Sequence, residues 1–364
     1  MHTAPEVPDL LQKALSGRRL SAVDGSILLE KGELLELGHV ANTIRQRLHP
    51  QQRVTYIIDR NINYTNVCTC QCRFCAFYRS VGDPDAYILD KAALFEKIEQ
   101  TLAVGGTELL IQGGLHPALN IDYYVDMLQS IKERFHIHIH SFSPPEIIHL
   151  CRKSGRSITE VLARLKDAGL DSLPGGGAEI LVDRVRRIIS PNKISWRLWM
   201  DVMDSAHHLG MKTTATMMFG HVETTSERVM HMVRVREQQD ATGGFTAFIP
   251  WSFQPRNTKL GGTVAGAVDY LKTVAVARIM LDNIPNIQAS WVTQGAKIAQ
   301  LALTFGANDF GSTMLEENVV RAAGVTYRVP LEEIHRCIYD AGFIPAQRRT
   351  DYTIIKEFTD PRTV

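Results

Sequence analysis

VTYIIDRNINYTNVCTCQCRFCAFYR, residues 54–79, runs from a β-like stretch straight into three cysteines, Cys68, Cys72 and Cys75, with Phe74 before the last. The C-x3-C-x2-C spacing sets three thiolates on one tight loop, enough to hold three corners of a cubane iron–sulfur cluster. The fourth iron is left without a ligand from the motif. An open iron can bind and activate a small molecule, whereas a cluster with four cysteine ligands is ordinarily a closed electron carrier. Zinc is the main alternative metal, but a structural zinc site wants four ligands, often as two separated pairs, and no second pair follows. Cys70 is a fourth thiol inside the loop; it reads as a bystander, with a replacement ligand or an oxidation site as alternatives. A thioredoxin-like reading of Cys72 and Cys75 lacks the helix start that such a pair needs. Cys151 and Cys337 lie among apolar residues and read as small buried hydrophobes.

Working outward, the pattern alternates short β runs with amphipathic helices. The predicted strands are Val54–Ile58 with Asn63–Val67, Glu108–Gln112, Ile137–Ser141, Asp171–Leu173, Lys212–Met217, Phe245–Pro250, Gln288–Val292 and Asn308–Phe310. Between them, 91–103 and 123–135 carry apolar residues at helical spacing. Ser157-x-x-Glu160 is a capping box for a helix that Gly169 closes, and 226–238, 268–281, 296–305 and 331–341 continue the series. Eight strand-then-helix units favour an α/β fold of the (β/α)8 TIM-type barrel class over an open doubly wound sheet. Residues 1–50 read as an N-terminal helical extension, 51–342 as the barrel core and 343–364 as a C-terminal tail packed on or near it.

In such barrels the reactive groups gather where strands end, and the unusual segments fall there repeatedly. They are the cysteine loop, QGGLHP, SFSPPE, LPGGGAE, MMFGHVET, IPWSFQPRN, WVTQG and NDFGST. Gly113–Gly114 serves either a tight turn or the close approach of a ligand to backbone. The glycine run at 175–177 matches neither G-x-G-x-x-G nor a P-loop. Glu179 just beyond it is placed to accept from ribose hydroxyls, or else is a helix N-terminal acid. Arg197 is a carboxylate partner by bidentate pairing or a solvated helix face. His116, Ser141, Ser143, His221, Glu223, Gln294, Asn308 and Asp309 are further strand-end polar groups able to bind substrate or move protons. His136, His138 and His140 alternate along one strand and read as ordinary strand histidines. Trp196, Trp199 and the methionines at 200, 203, 217 and 218 read as packing.

Composition sets the outer bounds. The 364 residues are 45% hydrophobic and 22% charged, with a formal net charge of +1. That near-neutral balance offers no nucleic-acid or membrane surface. No apolar run approaches the roughly 18 residues that span a bilayer, and the first residues lack the layout of a signal peptide. A cytoplasmic location is expected, where clustered cysteines serve metal or redox chemistry rather than disulfides.

With these residues assembled, the chain resembles the radical S-adenosylmethionine (SAM) superfamily. Within it, it resembles the cyclic dehypoxanthine futalosine synthases of the futalosine route to menaquinone. The matching segments are 56–68, 72–79, 111–117, 141–147, 173–181, 220–224, 249–260, 288–295 and 306–320. The resemblance implies a 4Fe–4S cluster on Cys68, Cys72 and Cys75, with SAM on its open iron. Tyr78, or the backbone beside Phe77, would lie against the adenine, Gly113 and Gly114 at the methionine amino group, Glu179 at the ribose, and Arg197 with Ser141 at the carboxylate. A 5′-deoxyadenosyl radical would take the C4′ hydrogen of a small nucleoside-derived substrate, and the carbon radical would close onto its benzoate ring. His116, Glu223 and Asp309 are the candidate bases. A low-potential donor such as flavodoxin or ferredoxin would supply electrons. Within the superfamily, aminofutalosine synthase and the deazaflavin cofactor synthases are the alternatives; a non-catalytic iron–sulfur or zinc-binding scaffold is the alternative of another class. Two departures stand out: Cys70 in the loop, and Arg349 where an acid is expected in the segment 345–352.

Overall fold

The computed structural model describes residues 6–359; the outer ends of the two predicted extensions, 1–5 and 360–364, lie outside it. Eleven strands run in chain order: β1 (Arg53–Ile57), β2 (Asp59–Ile62), β3 (Glu108–Ile111), β4 (His138–Ser141), β5 (Ser172–Leu173), β6 (Lys212–Phe219), β7 (Phe245–Ser252), β8 (Asn286–Ile287), β9 (Asp309–Ser312), β10 (Ile344–Arg348) and β11 (Ile354–Glu357). Strands β2 to β8 form a seven-stranded parallel ladder in sequence order. A second ladder has the order β11-β10-β1-β9. The two meet where β1 runs into β2 through Ile58, and at a parallel bridge between Gln288 and Asp309. The architecture is thus α/β, with a curled parallel sheet and extensions at both ends. This meets the expected (β/α)8 barrel in part, since a single bridge pair joins β8 to β9.

Helices cover the outer face, and several of them open on capping boxes: Ser143 with Glu146, Ser157 with Glu160 and Thr224 with Glu227. Glycines in the left-handed region end two of these helices, Gly155 at φ 67° and Gly243 at φ 61°. Three helices, Val7–Leu15, Ala22–Lys31 and Leu34–Leu48, make the N-terminal extension. They bury Leu10, Leu28, Leu37 and Ala41 against the rest of the core. Among the described residues, no helix is long and apolar enough to cross a membrane.

Two predicted strands and the predicted tail come out differently. Asn63–Val67 is a loop with bridges only at Thr65 and Val67. Its side chains engage the backbone of a distant turn: Thr65 Oγ1 donates to the Tyr87 carbonyl and Asn66 Nδ2 to that of Asp85. Such bonds compete with a ladder. None of Gln288–Val292 lies in a ladder strand: β8 ends at Ile287, Gln288 makes only the bridge to Asp309, and a helix begins at Trp291, kinked where Gly295 sits at φ 75°. The predicted tail from Phe343 enters the sheet: β10 lies parallel to β1, pairing Arg53 with Ile344 and Tyr56 with Gln347.

Candidate active site

The cysteine loop is fastened at both ends. Cys68 N donates to the Arg79 carbonyl at 3.0 Å and Arg79 N to the Asn66 carbonyl at 2.8 Å. The Arg79 guanidinium donates to the carbonyls of Ala76, Phe77 and Tyr78 and pairs with Asp85 at 2.6 Å. Gly114 lets the loop lie against the end of β3, because a Cβ there would collide with the Val67 carbonyl and the Cys68 side chain. Gly113 leaves room in the same way for the Tyr64 ring. The two glycines therefore meet a packing demand. Behind them Glu146 accepts from Tyr64 Oη at 2.7 Å, Gly113 N at 3.1 Å and Ser143 N at 2.7 Å. Burial pushes the Glu146 carboxyl up to about 7 despite these donors.

Within the loop, the Cys70 thiol donates to the Asn192 carbonyl at 3.8 Å and sits beside Cys68 and Cys72. Its presence there holds Cys68 down at about 6 and also lowers Cys72, while burial pushes Cys75 up to about 11. As the side chains stand, no group of three His, Cys, Asp or Glu among the described residues forms a set that could hold a metal ion. The donor chemistry nonetheless suits an iron–sulfur cluster. Four soft sulfur donors share one fastened loop, with the buried cation Lys193 beside them to balance thiolate charge. Burial works against the Lys193 charge, yet Cys72, Glu179 and Cys70 raise its pKa.

Glu179 links this loop to a cavity of about 280 Å³. Its backbone sits at φ 42°, a conformation uncommon outside glycine. Its side chain, 6% exposed, meets Lys193 Nζ at 3.0 Å and Arg186 at 3.5 Å. Arg186 also clamps the carbonyls of Gly177 and Ala178, and Trp199 Nε1 donates to that of Gly176, so the glycine turn is held from behind. Gly176, Gly177 and Glu179 form one side of the cavity. Trp251 on β7 and Trp291 at the start of the helix after β8 line it from the far side, and Arg348, Thr350 and Tyr352 enter it from the C-terminal segment.

The residues singled out in the sequence do not all converge here. The cation beside Glu179 is Lys193, not Arg197; Arg197 is exposed and lies 4.7 Å over the Trp196 ring. Ser141 is buried, with Oγ lacking a partner. Phe77 lines a separate cavity with Tyr87, and Tyr78 carries Lys259 over its ring at 5.2 Å. His116, Glu223 and Asp309 do not line the 280 Å³ cavity. His116 Nδ1 accepts from Ala118 N, and burial lowers its pKa. Glu223 accepts from Gly220 N and His221 N and pairs with Arg228 at 2.9 Å. Burial opposes its charge, but His221, Arg228 and the two amides hold its pKa below the usual range. Asp309 is taken by Arg348 at 2.5 Å, Thr55 Oγ1 at 3.0 Å and Gly311 N at 2.5 Å. Its lone pairs tie β9 to β10 across β1. The departure at Arg349 points outward, and Asp351 accepts from Thr353 N in the turn.

Residues 62–235 match the family described as the radical SAM superfamily, and 242–360 match the CofH/MqnC C-terminal region. The chain is 50% identical over 356 residues to a cyclic dehypoxanthine futalosine synthase of Halalkalibacterium halodurans, covering 97% of this chain and 96% of that one. It is 42% identical over 361 residues to the enzyme of the same name from Streptomyces coelicolor, covering 98% and 90%. It is also 42% identical over 360 residues to a 5-amino-6-(D-ribitylamino)uracil–L-tyrosine 4-hydroxyphenyl transferase of Methanosarcina barkeri, covering 96% and 94%. Among solved structures, methylornithine synthase shares the fold with a TM-score of 0.73 at 20% identity, over 93% of this chain and 97% of that one. The hydrogenase maturase HydG of Carboxydothermus hydrogenoformans does so at 0.75 and 17%, over 95% and 80%.

Proposed function

We infer the reaction from one premise: this chain belongs to the radical SAM superfamily and, within it, to the CofH/MqnC family. It is a radical SAM cyclase of the futalosine route to menaquinone, converting dehypoxanthine futalosine to the cyclic product. The observation that carries this reading is the 50% identity to a cyclase over nearly the whole of both chains. It extends through the C-terminal segment that lines the cavity.

In this reading Cys68, Cys72 and Cys75 hold a 4Fe–4S cluster, and Cys70 stays outside the ligand set. When bound, the cluster and SAM would together supply 5′-deoxyadenosyl radical chemistry: one hydrogen lost from C4′ to the nucleoside, and one electron and one proton lost after closure onto the ring. The chain's own residues hold and seal. Glu179 accepts from the ribose of SAM, fixed in place by Lys193 and Arg186, and Lys193 replaces Arg197 as the cation offered to the carboxylate. Trp251 and Trp291 wall the cavity with ring faces that exclude water and offer few reactive hydrogens. A low-potential flavodoxin or ferredoxin provides the electrons, in the cytoplasm.

The second reading, favoured by the 42% identity to the Methanosarcina enzyme, is 4-hydroxyphenyl transfer from tyrosine to a ribitylaminouracil. Reconstituted, reduced protein incubated anaerobically with SAM and each substrate set separates the two. Dehypoxanthine futalosine should yield 5′-deoxyadenosine with a product two hydrogens lighter. A coupled product from tyrosine and the uracil, with none from dehypoxanthine futalosine, would establish the second reading instead.

A further inference from the structure

The cavity floor carries a group of side chains to which the chemistry at Glu179 gives no task. Asp59 and Asn61 alternate along β2 and therefore face the same side, and Glu108 on β3 stands in register with Asp59. All three line the cavity, with exposures of 3, 6 and 5%. Asp59 accepts from Ser312 Oγ and Glu108 from Thr350 Oγ1. The cation at this level, Arg348, is committed to Asp309 and to the Arg349 carbonyl. Asn61 Oδ1 is buried and has no hydrogen-bond partner among the described residues. Buried amide oxygens are rarely left without a donor, and the cavity is the side from which one can come.

The floor can both give and take hydrogen bonds. Two neighbouring buried carboxyls resist ionising together. Burial and the adjacent Glu108 push Asp59 up to about 8, and burial raises Glu108 as well. A proton is therefore kept there near neutral pH. An anion would meet uncompensated acids. A hydroxyl, which donates and accepts at once, matches a protonated carboxyl beside an open amide oxygen.

We propose that Asp59, Asn61 and Glu108 form a hydroxyl-binding subsite that takes the neighbouring hydroxyls of the substrate's pentose. This rests on the cyclase reading, in which one end of the substrate is a sugar and the other an aryl carboxylate. The acids draw the sugar end to the floor and turn the carboxylate towards the mouth. The ribose of SAM offers the same pair of hydroxyls, so the test measures the two ligands separately.

Anaerobically reconstituted holoenzyme, without reductant, is titrated with dehypoxanthine futalosine in the presence of SAM, and with SAM alone. Asn61→Ala and Glu108→Ala should each bind the substrate about tenfold more weakly, the scale of one lost hydrogen bond, with SAM affinity and iron content unchanged. Removing the 2′-hydroxyl from the substrate should cost the wild type about as much and cost the affected variant nothing further. Wild-type substrate affinity in both variants, loss of SAM affinity instead, or losses that simply add would each overturn the subsite. Failure of the wild type to cyclise the substrate once reductant is added would overturn the cyclase reading. Cyclisation by a wild type whose variants bind normally would sink the subsite alone.

Discussion

The two ends of the cavity hold the same residue type in opposite circumstances. At the mouth, Glu179 is buried against Lys193 at 3.0 Å with Arg186 behind it. On the floor, Asp59 and Glu108 are buried against each other, while Arg348 serves Asp309 at 2.5 Å. A carboxylate with its own cation is a fixed acceptor. A carboxyl without one keeps its proton and becomes a donor as well. One cavity thus offers a charged end suited to a cationic cofactor and a neutral, hydroxyl-seeking end suited to a sugar.

Breaking that contrast should be most costly where a cation is already spent. Arg348→Met leaves Asp309 buried and unpaired and should destabilise the fold by about 3–5 kcal/mol, read by chemical unfolding of the apoprotein. An unchanged midpoint would show that the pair is dispensable. Lys193→Met should cost less, about 2–3 kcal/mol, because Arg186 remains beside Glu179. It should also weaken SAM binding while leaving substrate affinity intact; the reverse pattern would swap the roles assigned to the two ends.

Asp59→Asn sharpens the comparison through pH. The folded-state pKa of Asp59 is raised, so its contribution favours the fold at low pH and is lost as pH climbs from its ordinary 3.8 towards about 8. Glu108 and Asp309 face it with the same sign, against Arg348, and Ser312 donates to it. From pH 5 to 8 the stability difference should therefore move in the variant's favour, by up to ~1.4 kcal/mol per pH unit. A difference independent of pH would mean that Asp59 ionises normally. The smallest effect is expected from Cys70→Ser, with iron and sulfide content after reconstitution equal to the wild type. A loss of iron would make Cys70 a ligand.

Much of the site could be read in the sequence because its signals are local. The cysteine spacing, the paired glycines at 113–114 and the acid after the glycine turn all lie within short segments that end strands. What escaped depends on partners far apart in the chain. Arg348 meets Asp309 across 39 residues, and Thr350 meets Glu108 across 242. The strand Ile344–Arg348 carries Pro345 and no apolar alternation, and pairing with β1 alone makes it a strand. Five cations follow the glycine turn up to Arg197, and composition does not tell which of them reach Glu179. Lys193 ends the SPNK turn that folds back on Glu179, whereas Arg197 sits on the outer side of the helix that follows. Asn63–Val67 has strand-like residues, but Thr65 and Asn66 spend their side chains on the 85–87 turn.

The measurement that reaches the centre of the account is isotopic. Dehypoxanthine futalosine carrying deuterium at C4′ is turned over anaerobically with SAM, and the 5′-deoxyadenosine is weighed by mass spectrometry. One deuterium in the nucleoside, matched by cyclised product, is the expected result. Unlabelled 5′-deoxyadenosine alongside unchanged substrate would contradict it.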